Sequence, residues 1–381
     1  MAELVVGCAE SAVGKLPGRS SMSLATEVSI AAVTDAGISL ADLDGIAASQ
    51  PLVGGLPRHA LSIGEQLGIS GQLTYADTHN LGGASLLVGF LRACERVRAG
   101  QNRAVLVVGA DTARTGQQRN DSVAAIAAMR QPDWEQPFGM SNVSAYALLA
   151  ERYLTRYRLD RSALASIPVA LRAYARTNPG AVYRDALSKA DVVASRMVAS
   201  PLRLLECSPI SDGAGALVVH NLGGTDGLAI SLLGGSEGYR YDNVSFAEGL
   251  DQTGAALSAG RAFQQSGLGR TDVDVAMVYD SYSITLAMEL EQIGFFAPGT
   301  SPAAIEDGAI GLDGIIPTNT HGGLLSHSHA GGAAGSHHII EAIRQLAGTA
   351  HNQVPDARVA LVHAEGGIIS ANCTVLLGTG K

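Results

Sequence analysis

The chain has 381 residues, 46% of them apolar and 16% charged, with 46 glycines spread along its length and a formal net charge of −9. That length exceeds what one small core needs, so two core-sized units are expected; the glycine excess implies tight turns and close backbone approaches rather than a flexible linker. The acidic balance argues against a nucleic-acid partner, which needs a basic footprint, but not against an anion held by a local patch or by helix N-termini.

At the N-terminus, MAELVVGCAESAVGK lacks a basic segment followed by a long apolar one, so no signal peptide is expected. No charge-free apolar run approaches the roughly 18 residues of a membrane helix. DAGISLADLDGI (35–46) reads as the end of an amphipathic helix, a glycine stop, a short loop with an aspartate pair and the start of a buried strand, IAAS. GGASLLVGFLRACERVRAG (82–100) is a helix with small residues on its first turn, which suits tight burial between two sheets, and it leads to the apolar strand AVLVVGA (104–110). An insertion follows, about 114–200, rich in Arg, Tyr and Gln, with the helix-like SALASIPVALRAYART inside it.

Beyond HNLGGTDG (220–227) the pattern returns. QSGLGRTDVDVA (265–276) aligns without a gap on 35–46 and runs into the strand AMVYDS. GGAAGSHHIIEAIRQLAG (331–348) repeats the Gly-Gly-Ala helix start, and VALVHAE (359–365) repeats the apolar strand. Apolar runs alternating with helices predict parallel strands buried on both faces. Two α/β halves are therefore expected, 1–222 with the insertion and 223–381, with their Gly-rich turns brought close together. Duplication alone says nothing about chemistry.

Several ordered motifs resemble the thiolase superfamily, and within it the sterol-carrier-protein-type thiolases and the lipid-transfer-protein-type aldolases. They are VVGCAES (5–11), SPLRLLECSPISDGAGALVV (200–219), YDSYSITLAMELEQIGFF (279–296), PTNTHGGLLSHSHAGGAAG (317–335) and EGGIIS (365–370), so the resemblance covers nearly the whole chain. It implies an α/β thiolase fold in which two duplicated halves form a five-layered αβαβα core, with the insertion covering the active site. It also implies a homodimer paired through sheet edges. A thiolase carries its nucleophilic cysteine at the head of the first buried helix; here HNLGGAS (79–85) puts Gly83 there. Without a nucleophilic side chain no acyl-enzyme forms at that position.

The resemblance supplies the remaining candidates. Tyr279, at the end of a buried strand where α/β sheets carry reactive groups, matches the Asn or His of the thiolase oxyanion site; a phenol near its ordinary pKa of about 10 is a better donor than base. Asp280 matches an acidic position and is expected to orient its neighbours; Tyr282 falls on a packing Phe. His329 matches the histidine of the loop before the second buried helix and can exchange a proton near pH 7, although the aldolases resemble each other in a second tyrosine here. Ala330 replaces the proline that follows. His363 ends the last apolar strand near the second catalytic cysteine of biosynthetic thiolases, and His79 precedes the Gly83 loop. Gly83, Gly366 and Gly367 are candidates to present backbone N–H groups to a thioester oxygen, while Asn319 and Gly323 shape the loop carrying His329.

Cys8, Cys94, Cys207 and Cys373 are isolated, without metal-type or redox-type spacing, and fit a reducing cytoplasm; Cys373 is the one alternative nucleophile. His327, His329, His337 and His338 lie close in sequence, but no acidic or cysteine ligand sits beside them, so no metal is expected. Arg130, Arg152, Arg156 and Arg172, in or beside the insertion, are candidates to meet CoA phosphates.

The resemblance thus points to a carbon–carbon lyase, a retro-aldolase acting on a β-hydroxyacyl-CoA such as a steroid side-chain ester. Tyr279 and His329 would handle protons and backbone amides would hold the enolate. Coenzyme A enters only as part of the substrate, with no covalently bound cofactor, and the implied partner is a small OB-fold/zinc-ribbon protein. The alternatives are an acyltransferase or thiolase using another nucleophile, and a non-catalytic acyl-CoA or sterol-binding protein.

Overall fold

The computed structural model describes residues 4–379 other than 119, 122–123, 125–126 and 223–227. The segment expected to join the two halves therefore lies outside the described residues from 223 onward.

The strands are β1 (Leu4–Glu10), β2 (Gly45–Ser49), β3 (Tyr75–His79), β4 (Ala104–Asp111), β5 (Met197–Ala199), β6 (Leu202–Arg203), β7 (Gly213–His220), β8 (Leu228–Tyr239), β9 (Val275–Val278), β10 (Val359–Gly366) and β11 (Ala371–Gly378). Among the described residues, nine of them form one sheet in the order β3-β2-β4-β7-β1-β8-β11-β10-β9, and β5 with β6 makes a small separate hairpin. Read from the two ends, β2-β4-β7-β1 and β9-β10-β11-β8 are the same arrangement, so the duplication legible in sequence is a duplication of topology. Among the described residues, three residue pairs join the halves across β1 and β8; from Ser231 onward β8 pairs with β11 instead.

The sheet is mixed rather than all-parallel. β2 is parallel to β3 and β4, and β9 to β10, but β1, β7, β8 and β11 run antiparallel to their neighbours. Apolar runs such as AVLVVGAD are buried along their whole length in either setting, because helices cover both faces; the run reports burial, not strand direction.

The aligned segments fold alike for a visible reason. The Ser21–Asp35 helix starts at Ser20, whose hydroxyl accepts the Ser23 N–H, and it stops before Gly37 at φ +68. Its counterpart, Ala255–Ser266, ends on Gly267 in the left-handed region, where glycine bears no Cβ penalty. The first aspartate of each pair caps its loop: Asp42 accepts the Ser39 N–H and Asp272 that of Gly269. The second ties down the next strand, Asp44 accepting from the Arg103 and Ala104 amides and Asp274 from those of Arg358 and Val359.

Five layers result. Ser21–Asp35 and His59–Gln66 cover the outside of the first half-sheet, and Ala255–Ser266 with Ser283–Ile293 the outside of the second. Ser85–Arg98 and Ala334–Ala347 lie between the half-sheets, each touching strands of both. The small residues at their starts let them meet: a Cβ on Gly335 would come 2.7 Å from the Gly83 carbonyl oxygen. The core between the half-sheets is built from these two helices, with Phe90, Leu87, Ile339 and Ile340 buried.

Candidate active site

The two central helix starts, the β10–β11 turn and the insertion meet around a cavity of about 340 Å³. Gly82 and Gly83 line it from the first helix start, Gly331 and Gly332 from the second, and Gly366 and Gly367 from the turn. Tyr279 and His329 complete the inner wall, with Arg130 and Tyr146 from the insertion.

Gly83 is required by Tyr279. A Cβ built on Gly83 would overlap the Tyr279 ring carbon Cζ and its hydroxyl, and would also press on the Glu365 carbonyl. The space that a side chain at 83 would fill is occupied by the phenol of residue 279. Gly366 is held as tightly, since a Cβ there would overlap the Leu81 carbonyl. Gly367 sits at φ +72, which suits a residue without a Cβ.

The Tyr279 hydroxyl lies 3.1 Å from Nε2 of His329. The Tyr279 amide donates to the His363 carbonyl, and the His329 carbonyl accepts from the Ser211 amide, so backbone bonds fix both residues. Burial pushes the phenol well above its ordinary value, reinforced by the nearby carboxyls of Glu365, Asp280 and Glu289. Burial also pulls the His329 imidazole down to about 4, and a bond from the ring to its own backbone carbonyl only partly offsets this. Which of the two donates is set by the imidazole tautomer. At pH 7 the pair is a neutral phenol on a neutral imidazole.

Asp280 stands behind this pair rather than in the cavity. Its carboxylate accepts from the Leu324 and Leu325 amides at 2.8 and 3.0 Å and from Asn319 Nδ2 at 3.0 Å. His338 Nε2 is 3.3 Å away. Burial raises its pKa, and the His338 contact works the other way. Asn319, at φ +53, bonds both the N–H and the carbonyl of Val278. Gly323 leaves the room that the Asp280 carboxylate fills. The loop leading to His329 is thus built on Asp280.

The structure does not bring His363 to the cavity. It lies within β10, fully buried, with Nδ1 2.8 Å from the Thr374 hydroxyl and Nε2 3.4 Å from Glu289; burial lowers its pKa to about 4. His79, at the end of β3, also lies outside the lining, and the next residue, Asn80, is part of it. Cys373 is buried on β11 opposite Ala364 and is not among the lining residues. Burial raises its thiol well above the usual range and pushes those of Cys8, Cys94 and Cys207 to about 12.

The four arginines part company. Arg152 and Arg156 both pair with Asp251. Arg172 is buried against the Ser326 hydroxyl and the Asp185 carbonyl. Arg130 lines the cavity, 5% exposed, with Nε and Nη1 lacking a partner among the described residues. Among the described residues no group of three or more His, Cys, Asp or Glu side chains is arranged to hold a metal. His321, His327, His337 and His338 instead pack ring on ring, with centroids 4.9 to 5.2 Å apart along the chain of contacts.

Two cavity residues carry no mark in the sequence reading. Glu365, 1% exposed, accepts from the Tyr146 hydroxyl at 2.7 Å and the Ser281 hydroxyl at 3.1 Å, both on Oε1; the Ile369 amide donates to Oε2. Burial pushes its pKa up to about 8, with Glu289 adding to the rise and the hydroxyl donors opposing it. A carboxyl closing an otherwise apolar strand was the available signal. Tyr146 had none, since its partner is 219 residues away.

Comparison with known proteins places this geometry. The family profile described as "Thiolase, N-terminal domain" matches residues 4–222, and "Thiolase C-terminal domain-like" matches 236–379. An acetyl-CoA acetyltransferase of Methanothermobacter thermautotrophicus is 30% identical over 95% of this chain and 96% of its own. A 17-hydroxy-3-oxo-4-pregnene-20-carboxyl-CoA lyase of Mycobacterium tuberculosis is 30% identical over 96% of each chain. The solved structure of an Ltp2-ChsH2(DUF35) aldolase superposes with a TM-score of 0.87 at 29% identity, over 99% of this chain and 98% of that one. The chain belongs to the thiolase superfamily and, with Gly83 at the nucleophile position, to its sterol-carrier-protein and lipid-transfer-protein type of thiolase-like aldolases.

Proposed function

We propose that the protein is a retro-aldolase that cleaves the Cα–Cβ bond of a β-hydroxyacyl-CoA, with coenzyme A as part of the substrate. The carrying observation is the Gly83–Tyr279 contact: a phenol occupies the volume a thiolase nucleophile would need, so cleavage proceeds without an acyl-enzyme. In this reading Tyr279, kept protonated by its surroundings and set on Nε2 of His329, delivers the proton that the departing enolate carbon requires. The backbone around Gly83, Gly366 and Gly367 holds the thioester oxygen, and Asp280 holds the His329 loop in place. Arg130, with two bare guanidinium nitrogens, meets an acceptor on the substrate. His363, buried on β10 behind the cavity, does not meet the substrate in this reading.

A steroid side-chain ester is the acyl group we favour, and the similarity to the pregnene-carboxyl-CoA lyase supports it. A small OB-fold/zinc-ribbon protein is the partner we propose, in line with the two-protein aldolase that superposes on this chain. We also propose a homodimer pairing sheet edges through β3, a division of the chain at 222/223, and a cytoplasmic setting that fits four free cysteines. No helix among the described residues is long and apolar enough to cross a membrane.

The test is cleavage of 17-hydroxy-3-oxo-4-pregnene-20-carboxyl-CoA, followed by appearance of a 17-ketone and propionyl-CoA. Tyr279→Phe and His329→Ala are each expected to lower turnover by about 100-fold or more; unchanged turnover in both would sink the mechanism. The similarity to acetyl-CoA acetyltransferases keeps one rival in play, acyl transfer from another thiol. It predicts an acyl adduct in the intact mass, at Cys373, and the burial of that thiol argues against it.

A further inference from the structure

Glu365 and its hydroxyl partners can satisfy their hydrogen bonds in two protonation states without moving a heavy atom. With the carboxylate ionised, Tyr146 and Ser281 donate to Oε1 and the Ile369 amide to Oε2. With it protonated, Oε1 donates to the Tyr146 oxygen, and Tyr146 turns its own proton to the Gly367 carbonyl, 3.1 Å away. Ser281 then has Thr285 Oγ1 at 3.3 Å. A buried carboxyl whose partners fit only one state would resist a change of charge; this one is built to accept it.

Among the described residues lining the cavity, the groups able to take up a proton are His329, Asp242 and Glu365. Nε2 of His329 is taken up by the Tyr279 hydroxyl, and Asp280 and Glu289 do not line the cavity. Asp242, the other acidic lining residue, is exposed. On this ground, and resting on the retro-aldolase reading above, we propose that Glu365 is the general base that removes the β-hydroxyl proton.

In that step the substrate O–H bond breaks and its proton goes to the Glu365 carboxylate; the freed oxygen pair forms the carbonyl of the ketone product. The Cα–Cβ pair moves into the thioester enolate. Tyr279 then protonates Cα, and the resulting phenolate recovers a proton, as Glu365 loses one, through water entering as products leave. No proton is gained or lost over the cycle. Because burial places the carboxyl at about 8, it is mostly protonated at pH 7 and becomes competent as pH rises.

The experiment uses the full chain with the same pregnene-carboxyl-CoA. Wild-type kcat/KM is expected to climb with pH to a plateau above a midpoint near 8. Glu365→Gln, which keeps the acceptor for Tyr146, should lose at least ~100-fold in kcat and lose that limb, with KM unchanged. Tyr146→Phe removes a donor that favours the ionised form, so it should move the limb to higher pH. Infrared titration of the unliganded wild type requires no variant to turn over: a protonated-carboxyl band missing from Glu365→Gln should vanish with the same midpoint. Glu365→Gln cleaving within threefold of wild type, while Tyr279→Phe is dead, would overturn the base assignment and leave the retro-aldolase reading standing. An infrared band that titrates like an ordinary carboxyl would overturn it too. A wild type that cleaves neither this ester nor simpler β-hydroxyacyl-CoAs would take down the reading and the base together.

Discussion

Gly83 and Tyr279 compete for one volume, and that contact fixes what either position tolerates. Alanine at 83 must push the phenol aside, because the new Cβ would overlap Cζ and the hydroxyl of Tyr279 while the ring is walled in by buried neighbours. Overpacking of this kind costs about 1–3 kcal/mol, and a displacement of about 1 Å in a proton donor can cost about 100-fold in rate. Gly83→Ala should therefore unfold at lower urea and lose most cleavage activity. Gly83→Cys should behave the same way and gain no thiolysis. Shrinking the partner reverses part of this. In Gly83→Cys/Tyr279→Asn the stability losses should be non-additive by about 1–3 kcal/mol, measured by urea unfolding of the four members of the cycle; additive losses would show that the two residues do not share the space.

At the scale of elements, the loop from Asn319 to His329 packs Leu324 and Leu325 into the core and hangs its backbone on one carboxylate. Asp280 accepts from two successive amides, Leu324 and Leu325, and from the Asn319 side chain. Removing it strands three donors in a fully buried place, at about 1–3 kcal/mol each. Asp280→Ala should cost about 3 kcal/mol or more in a denaturant titration and should release His329 from Tyr279, with kcat falling alongside. Asp280→Asn, which keeps one acceptor oxygen, should lose less on both counts; equal losses would mean that shape rather than hydrogen bonding holds the loop. The exposed Arg152–Asp251–Arg156 group offers the contrast. Arg152→Ala should shift stability by less than about 1 kcal/mol, because solvent screens such pairs.

The same scale shows what could be read in advance. The helix–glycine–aspartate–strand unit was visible twice because local rules generate it: a left-handed glycine, a loop-capping carboxylate and an apolar run all leave their mark on neighbouring residues. Gly83, Tyr279 and His329 were found through their places in those units. The antiparallel members of the sheet were not legible, since burial on both faces produces the same apolar run in either direction. Neither was the equivalent of β3 in the second half, where strand pairing shrinks to a single bridge between Ala276 and Thr318. The Glu365–Tyr146 bond joins the final turn to the insertion, and the four-histidine stack includes His321. Such contacts exist only once the chain has closed on itself, and no periodicity announces them.

For the whole molecule, the buried titratable groups oppose one another as pH changes. Burial holds His327 at about 3 and His363 at about 4, below their ordinary 6.5. The unfolded chain binds protons that the folded one refuses, so their contribution is complete above about 6.5 and is lost as pH falls toward the folded values. Asp111, Glu206 and Glu365 behave in the opposite sense, raised by burial to about 6, 7 and 8. Their neutral forms are fully accommodated below the unfolded carboxyl range, and stability is lost as pH climbs through each folded value. Each tenfold change in proton affinity is worth about 1.4 kcal/mol, so either set is large beside a net stability of about 5–15 kcal/mol. The histidine set therefore lowers the melting temperature as pH falls below about 6.5, and the carboxyl set lowers it as pH rises from about 4.5 to about 8. Glu365→Gln removes one raised carboxyl and should lessen the fall between about pH 4.5 and about 8. His363→Gln should lessen the fall below about pH 6.5, provided the amide keeps the Thr374 contact. Scanning calorimetry between pH 4 and pH 9 would separate the two; a melting temperature that rises steadily to pH 9 would contradict the carboxyl half of the argument.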